Sequence, residues 1–156
     1  MSTEERRRLA EELRGAMQRG TMWTVLLHHT VASKAGLNVT DLQCLNLLSL
    51  DGPVTPGRLA QAMGITTGGA ITAVVDRLEK AGYVRRTRDP DDRRRVIVEM
   101  VPEAMARVAD YFEPIAESVR ARLDKYSDEQ LRTLLDFTDG NNGAMPDVIK
   151  QVQELP

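Results

Sequence analysis

The chain has 156 residues, of which 42% are apolar and 28% charged, and a formal net charge of −2. That length suits one domain, or a small domain with an oligomerisation arm, and that balance is ordinary for a folded soluble protein. There is no run of about 18 apolar residues, the first residues MSTEERRRLAEELR are charged, and Cys44 is the single cysteine; a membrane span, a signal peptide and an intrachain disulfide are therefore not expected, and a cytoplasmic location is.

The charge is uneven along the chain. Residues 1–54 carry six basic and six acidic groups, residues 55–101 nine against six, and residues 102–156 six against eleven, giving net 0, +3 and −5. A basic middle third suits a polyanion partner.

In chain order, residues 4–35 lack proline and keep Leu9, Leu13, Met17, Trp23, Leu26, Leu27 and Val31 at helical spacing. They read as one long helix that can bend near Gly20 and is capped by Gly36. Thr40 with Gln43 reads as a capping box for a second helix with Leu42, Leu45 and Leu48 inward, stopped at Asp51-Gly52-Pro53. Thr55-Pro56 opens a short third helix that Gly64 closes. Thr66 starts a fourth helix whose Ile71, Val74, Val75 and Leu78 form one apolar face. Its other face carries Thr67, Gly69, Thr72, Ala73, Asp76, Arg77 and Lys80. Segments 83–88 and 95–101 read as paired strands joined through Asp89-Pro90-Asp91-Asp92. A helix from Pro102 to about Tyr126 follows, in which Pro114 is expected to kink or divide the ladder. Ser127 with Gln130 caps a last helical region, with a break expected at the DGNNG of 139–143.

The third and fourth helices, separated by a short turn, make a helix-turn-helix. Small and hydroxyl side chains near the start of the second of these helices let a backbone approach base edges, and threonine can hydrogen-bond a base or touch a thymine methyl. The stretch RRTRDPDDRRRVIV (85–98) then places six arginines and three aspartates on the following hairpin. In isolation it reads better as a solvated turn. Beside a helix-turn-helix it reads as a wing, which can put an arginine into an adjacent minor groove. An aspartate can hold that guanidinium in place before DNA arrives.

With VTPGRLAQAMGITTGGAITAVVDRLEKAGYVRRTRDPDDRRRVIV at its centre, the whole chain resembles the MarR family of winged-helix transcriptional regulators, most specifically in VVDRLEKAGYVRR and DPDDRR. The resemblance implies a mainly α fold with a small two- to three-stranded β-wing. It implies a winged helix-turn-helix over 37–101 and an intertwined helical dimerisation region over 1–36 and 102–156. Asp92 and Arg94 match the family's wing Asp-x-Arg pair, whose arginine enters the minor groove. Arg77 matches the arginine of the recognition helix that meets phosphate or braces the wing. Thr67, Thr72 and Ala73 are expected at base edges, with Thr66 and Gly69 also in the DNA-binding set and Arg77, Arg86, Arg93 and Arg95 mostly on phosphates. Two features depart from the pattern: Met100-Val101 replaces the usual Leu-Thr, removing a hydroxyl cap, and Ala73 stands where relatives often carry a long polar residue.

The resemblance further implies a homodimer on double-stranded DNA, reading a near-palindromic operator with its two recognition helices about 34 Å apart. It also implies a repressor released by a small phenolic or lipophilic molecule. Trp23, His28, Cys44 and Leu48, with His29 beside them, are candidate walls for that molecule, or ordinary helix-packing residues. His28 and His29 make no metal site, because neighbours on a helix diverge by about 100°, and no cofactor is expected. Cys44 lies among leucines, where an inert thiol is the default and a thiol sensor the alternative. No phosphate loop or nucleophile motif points to an enzyme. A winged-helix module for protein interaction, using the acidic C-terminal third, and a small-molecule-binding protein or enzyme in the dimer cleft are the other readings.

Overall fold

A computed structural model describes residues 1–155 as six helices and one two-stranded antiparallel sheet. Helix α1 (Thr3–Ala35) starts from Ser2, whose hydroxyl accepts from the Glu5 N–H while the Glu5 carboxylate accepts from the Ser2 N–H. It runs through Gly20 without interruption and ends at Gly36, whose φ of 67° needs a residue without Cβ.

Helix α2 (Val39–Asp51) corrects the sequence reading of its start. Its cap is Asn38, whose side chain accepts from the Asp41 N–H at 2.8 Å, and Thr40 lies inside the first turn. Both Asn38/Asp41 and Thr40/Gln43 satisfy the capping spacing. The first wins because Asp41 is then carried inward, to 3% exposure, where it meets a cation. Helix α3 (Pro56–Ala62) is capped by Thr55 as expected, with proline in its first turn. Helix α4 (Gly68–Lys80) begins two residues later than expected: Thr66 precedes it, and Thr67 occupies its cap position in extended conformation.

Strands β1 (Val84–Arg88) and β2 (Val96–Met100) pair from Val84↔Met100 to Arg88↔Val96. Val54 adds a one-residue bridge to Val98, with backbone bonds in both directions, so the wing has two strands and the trace of a third. Helix α5 (Pro102–Leu123) starts without a hydroxyl cap. Val101 supplies a carbonyl to the N–H groups of both Ala104 and Met105, and Pro102 has no N–H to satisfy.

Neither a division at Pro114 nor a break at 139–143 occurs. Pro114 lies inside a single continuous α5, and Gly140 to Gly143, with Pro146, lie inside a continuous α6 (Asp128–Gln153). Glycine in a helix interior costs about 1 kcal/mol relative to alanine. A break would cost more, because each new helix end leaves about four backbone groups without partners.

The chain divides into two compact units, Met1–Phe112 and a second beginning at Glu113. In the first, Leu45, Leu59, Val75, Leu78 and Val98 lie at 1% exposure or less, so α2, α3, α4 and β2 share one core. In the second, α6 buries none of its residues. Among the described residues, no helix is long and apolar enough to cross a membrane.

The buried Asp41 ties α2 to α4. It accepts from Arg77 Nη2 at 2.6 Å and from Arg77 Nε at 3.3 Å, while the Arg77 side chain remains 48% exposed. The two partners are therefore unequal. Removing Asp41 leaves a guanidinium that water can reach, whereas removing Arg77 strands a carboxylate in the core. Arg77→Ala is expected to destabilise by about 2–4 kcal/mol and Asp41→Asn by about 1–2 kcal/mol. Denaturant unfolding measures both, and equal losses below about 0.5 kcal/mol would show that the pair does not anchor α4.

Candidate nucleic-acid interface

The outer surface of α4 is short-chained where it begins. Thr66, Thr67, Gly68, Gly69, Ala70, Thr72 and Ala73 are all exposed, and open space surrounds Gly68 and Gly69 where a Cβ would stand. The Thr67 hydroxyl makes no cap bond, and the Thr72 hydroxyl donates back to the Gly68 carbonyl at 2.9 Å. The start of this helix therefore presents free N–H groups and methyls to whatever approaches. The opposite face, with Ile71, Val74, Val75 and Leu78, is buried.

The hairpin tip is shaped by its aspartates. Asp89 Oδ1 accepts from the Asp91 N–H, and Asp92 Oδ1 from the Arg94 N–H, both at 3.0 Å. The Asp89 N–H donates to the Arg95 carbonyl, and the Arg95 N–H to that of Asp92. The same Asp92 Oδ1 lies 3.4 Å from Arg94 Nε, while the Arg94 side chain is 94% exposed. Its guanidinium is aimed but uncommitted.

The other wing arginines differ sharply. Arg85 Nε meets Glu99 across the strands at 2.7 Å, and Arg95 lies 3.9 Å from Asp89. Arg86 is the most enclosed: its Nη2 is 2.5 Å from Asp76 Oδ1, its Nη1 donates to Glu79, and its backbone N–H donates to Glu79 Oε1 at 3.0 Å. Among the described residues, Arg88 and Arg93 have no carboxylate partner and are exposed. Burial works to lower the Arg86 pKa, but its bonds to Asp76 and Glu79 outweigh that and the net shift is upward. For Arg77 the hydrogen bond it donates to Asp41 dominates and raises it. The phosphate role expected for Arg77 and Arg86 thus competes with bonds already made inside the protein. Sequence reasoning missed Asp41, and missed Asp76 and Glu79 as holders of Arg86; the signal available was their i, i+3 spacing just before a strand carrying arginine.

The residues expected to wall a small-molecule site do not share one cavity. Cys44 and Leu48 lie in the core, and Trp23 is 69% exposed. His28 packs edge-on to Phe112, with ring centres 6.0 Å apart, and lines a 260 Å³ hollow with Val39, Leu42, Gln43 and Asn46. Burial first, then the charge of Asp41, pushes the Cys44 thiol up to about 11, which keeps it protonated and unreactive at neutral pH. A larger cleft of 570 Å³ lies between the last turns of α2 and the first turns of α5, lined by Leu50, Met100, Met105, Val108 and Phe112, with Asn46 and Ser49 as its polar groups.

A helix-turn-helix with a solvent-facing recognition helix, followed by a hairpin bearing a projecting arginine, defines the winged-helix class of DNA-binding regulator. A family profile described as MarR family matches residues 35–95. Over 131 residues the chain is 37% identical to YcgE, an uncharacterised HTH-type transcriptional regulator of Bacillus subtilis (strain 168), and the match covers 84% of each chain. It is 28% identical over 107 residues to YetL, an HTH-type transcriptional repressor of the same organism, covering 67% of this chain and 63% of that one. A MarR family protein from Bacillus stearothermophilus superposes with a TM-score of 0.67 at 19% identity, over 90% of this chain and 97% of that one. The chain belongs to the MarR family, and is a winged helix-turn-helix transcriptional regulator rather than an enzyme.

Arg94→Ala leaves the hairpin backbone bonds in place and removes one free cation. DNA affinity should fall, and the slope of log K against log salt should become shallower by about 1. Fluorescence anisotropy across a salt series reads both; an unchanged slope would remove Arg94 from the interface.

Proposed function

We propose that the protein is a dimeric, cytoplasmic repressor that binds a near-palindromic operator in double-stranded DNA and is released by a small uncharged apolar ligand. Arg94 carries the DNA reading: it is the wing cation held by an aspartate yet almost wholly in solvent. It enters the minor groove. Thr67, Thr72 and Ala73, flanked by Thr66 and Gly69, meet base edges in the major groove, and Arg93, with Arg95 behind it, grips phosphate. Arg77 and Arg86 brace the domain rather than touch DNA.

The dimer reading is supported by the terminal helices. Leu9, Leu13, Trp23 and Leu26 on α1 are half-exposed or more, as are Leu135, Ile149 and Val152 on α6. A 26-residue amphipathic helix with no buried residue has not yet found its partner. The domains follow from this: 1–36 and 102–156 form the dimerisation region around the winged helix of 37–101. YetL, a repressor by name, supports the direction of regulation.

The ligand reading rests on the cleft beside Asn46 and Ser49. Its lining is apolar, with two neutral polar groups and no cation to neutralise a carboxylate. The hollow at His28 shares Asn46 with it, and Phe112, which packs against His28, lines the cleft itself.

Two measurements test this. Sedimentation should return twice the 17.4 kDa chain mass, and Leu135→Glu should return that mass once. Addition of 1-naphthol should release a bound duplex, while 1-naphthoate, the same ring system with a carboxylate, should not. A monomer in the first case, or equal action of the two compounds in the second, contradicts the respective reading.

A further inference from the structure

The geometry assigns Arg86 as a positioning residue: it clamps the wing to the recognition helix and governs operator affinity through Arg94 without itself contacting DNA. This rests on the DNA-binding reading above.

β1 alternates its side chains across the hairpin, so adjacent arginines face different surroundings. Arg85 turns to Glu99 on the neighbouring strand, whereas Arg86 turns to α4. There it takes two carboxylates one turn apart, Asp76 through Nη2 and Glu79 through Nη1, and its own backbone N–H adds a third bond to Glu79. A planar guanidinium with both terminal nitrogens occupied fixes an angle as well as a distance, which lysine cannot do. The strand leaving Arg86 is the one that leads to the Asp89 turn and the tip, so the angle set at Arg86 is inherited by Arg94, eight positions further along the hairpin.

The same three bonds argue against a phosphate contact. The Arg86 side chain is 29% exposed, against 94% for Arg94, and its charge is met by two carboxylates. To reach a phosphate it would have to abandon both. Asp76 and Glu79 also need an explanation on a helix that approaches DNA, since each brings negative charge towards a polyanion. Pairing with Arg86 supplies it: the acids are there to hold the wing.

Two groups of variants of the full chain separate a clamp from a phosphate contact. The probes are a duplex recovered from a random-sequence pool by the unaltered protein and a scrambled duplex of the same length. Arg86→Ala should weaken binding to the selected duplex by about tenfold. In an Arg94→Ala background the same change should cost less than about twofold, because the residue through which it acts is already gone. Arg86→Lys should lose nearly as much as Arg86→Ala, because an ammonium cannot hold both carboxylates at one angle, whereas a phosphate contact would be largely kept by lysine. Asp76→Asn combined with Glu79→Gln should weaken selected-duplex binding as well, although it removes two negative charges. Thermal melting of each variant is recorded alongside. Should Arg86→Ala fail to fold, Arg86→Lys and the Asp76/Glu79 variant carry the same comparison with Arg94→Ala.

Additive losses for Arg86 and Arg94, or tighter binding when Asp76 and Glu79 are neutralised, would show that Arg86 meets phosphate and would overturn the clamp. Unaltered protein that enriches no duplex from the pool, and binds selected and scrambled DNA alike, would overturn the DNA reading instead.

Discussion

A single buried carboxylate organises the DNA-binding unit. Asp41 belongs to the capping box that starts α2, and it holds Arg77 of α4 by two bonds. Three per cent exposure leaves it no access to water as an alternative partner. Two helices that meet mainly through leucine and valine could slide or rotate at small cost, since apolar contact is not directional. A charged, two-bond contact whose carboxylate is buried removes that freedom, because losing the arginine leaves that carboxylate without its charged partner. The outward face of α4 is therefore set from behind.

From Asp41 the restraint passes along one short segment. Asp76 and Arg77 are neighbours on α4 and point about 100° apart, so one turns to the wing and the other to α2. Glu79, one turn on from Asp76, completes the wing side. Within four residues the recognition helix is bound to α2 and to the strand after it, and its first turns stay free of both. Each exposed pair alone is worth about 0.2–1 kcal/mol, too little to decide whether the chain folds. Their effect is on angle, and angle is what a protein reading two grooves at once must control. A simple count of arginines on the wing overstates its free charge: Arg85, Arg86, Arg94 and Arg95 have carboxylate partners, and of these only Arg94 keeps its side chain almost wholly in solvent, alongside Arg88 and Arg93, unpaired among the described residues.

Much of this was legible in the sequence. The apolar spacing of Ile71, Val74, Val75 and Leu78 gave the buried face of α4, and Thr55-Pro56 and Ser127/Gln130 gave two helix starts, because those signals are local. The Asp-rich turn was legible for the same reason: Asp89 and Asp92 each accept from a backbone N–H two residues on. What could not be read were choices that depend on distant partners. Asn38 and Thr40 compete as caps on equal local terms, and Arg77, 36 positions away, is what rewards the choice that buries Asp41. Glycines and asparagines at 140–143 look like a break, yet the cost of opening a helix exceeds their propensity penalty. Cys44 and Leu48 were readable as packing residues or as cavity walls, and their burial in the core shared with α3, α4 and both strands decides for packing.

In the proposed assembly, two copies of this winged helix grip one duplex, with α4 in the major groove and Arg94 in the minor groove beside it. Hydroxyl-radical footprinting of a selected duplex tests it most directly. The account predicts two protected half-sites whose centres lie one helical turn apart, about 10 base pairs, each flanked by a protected minor groove on its outer side. Protection of one half-site alone, or of the major-groove faces with both flanking minor grooves fully cleaved, would contradict it.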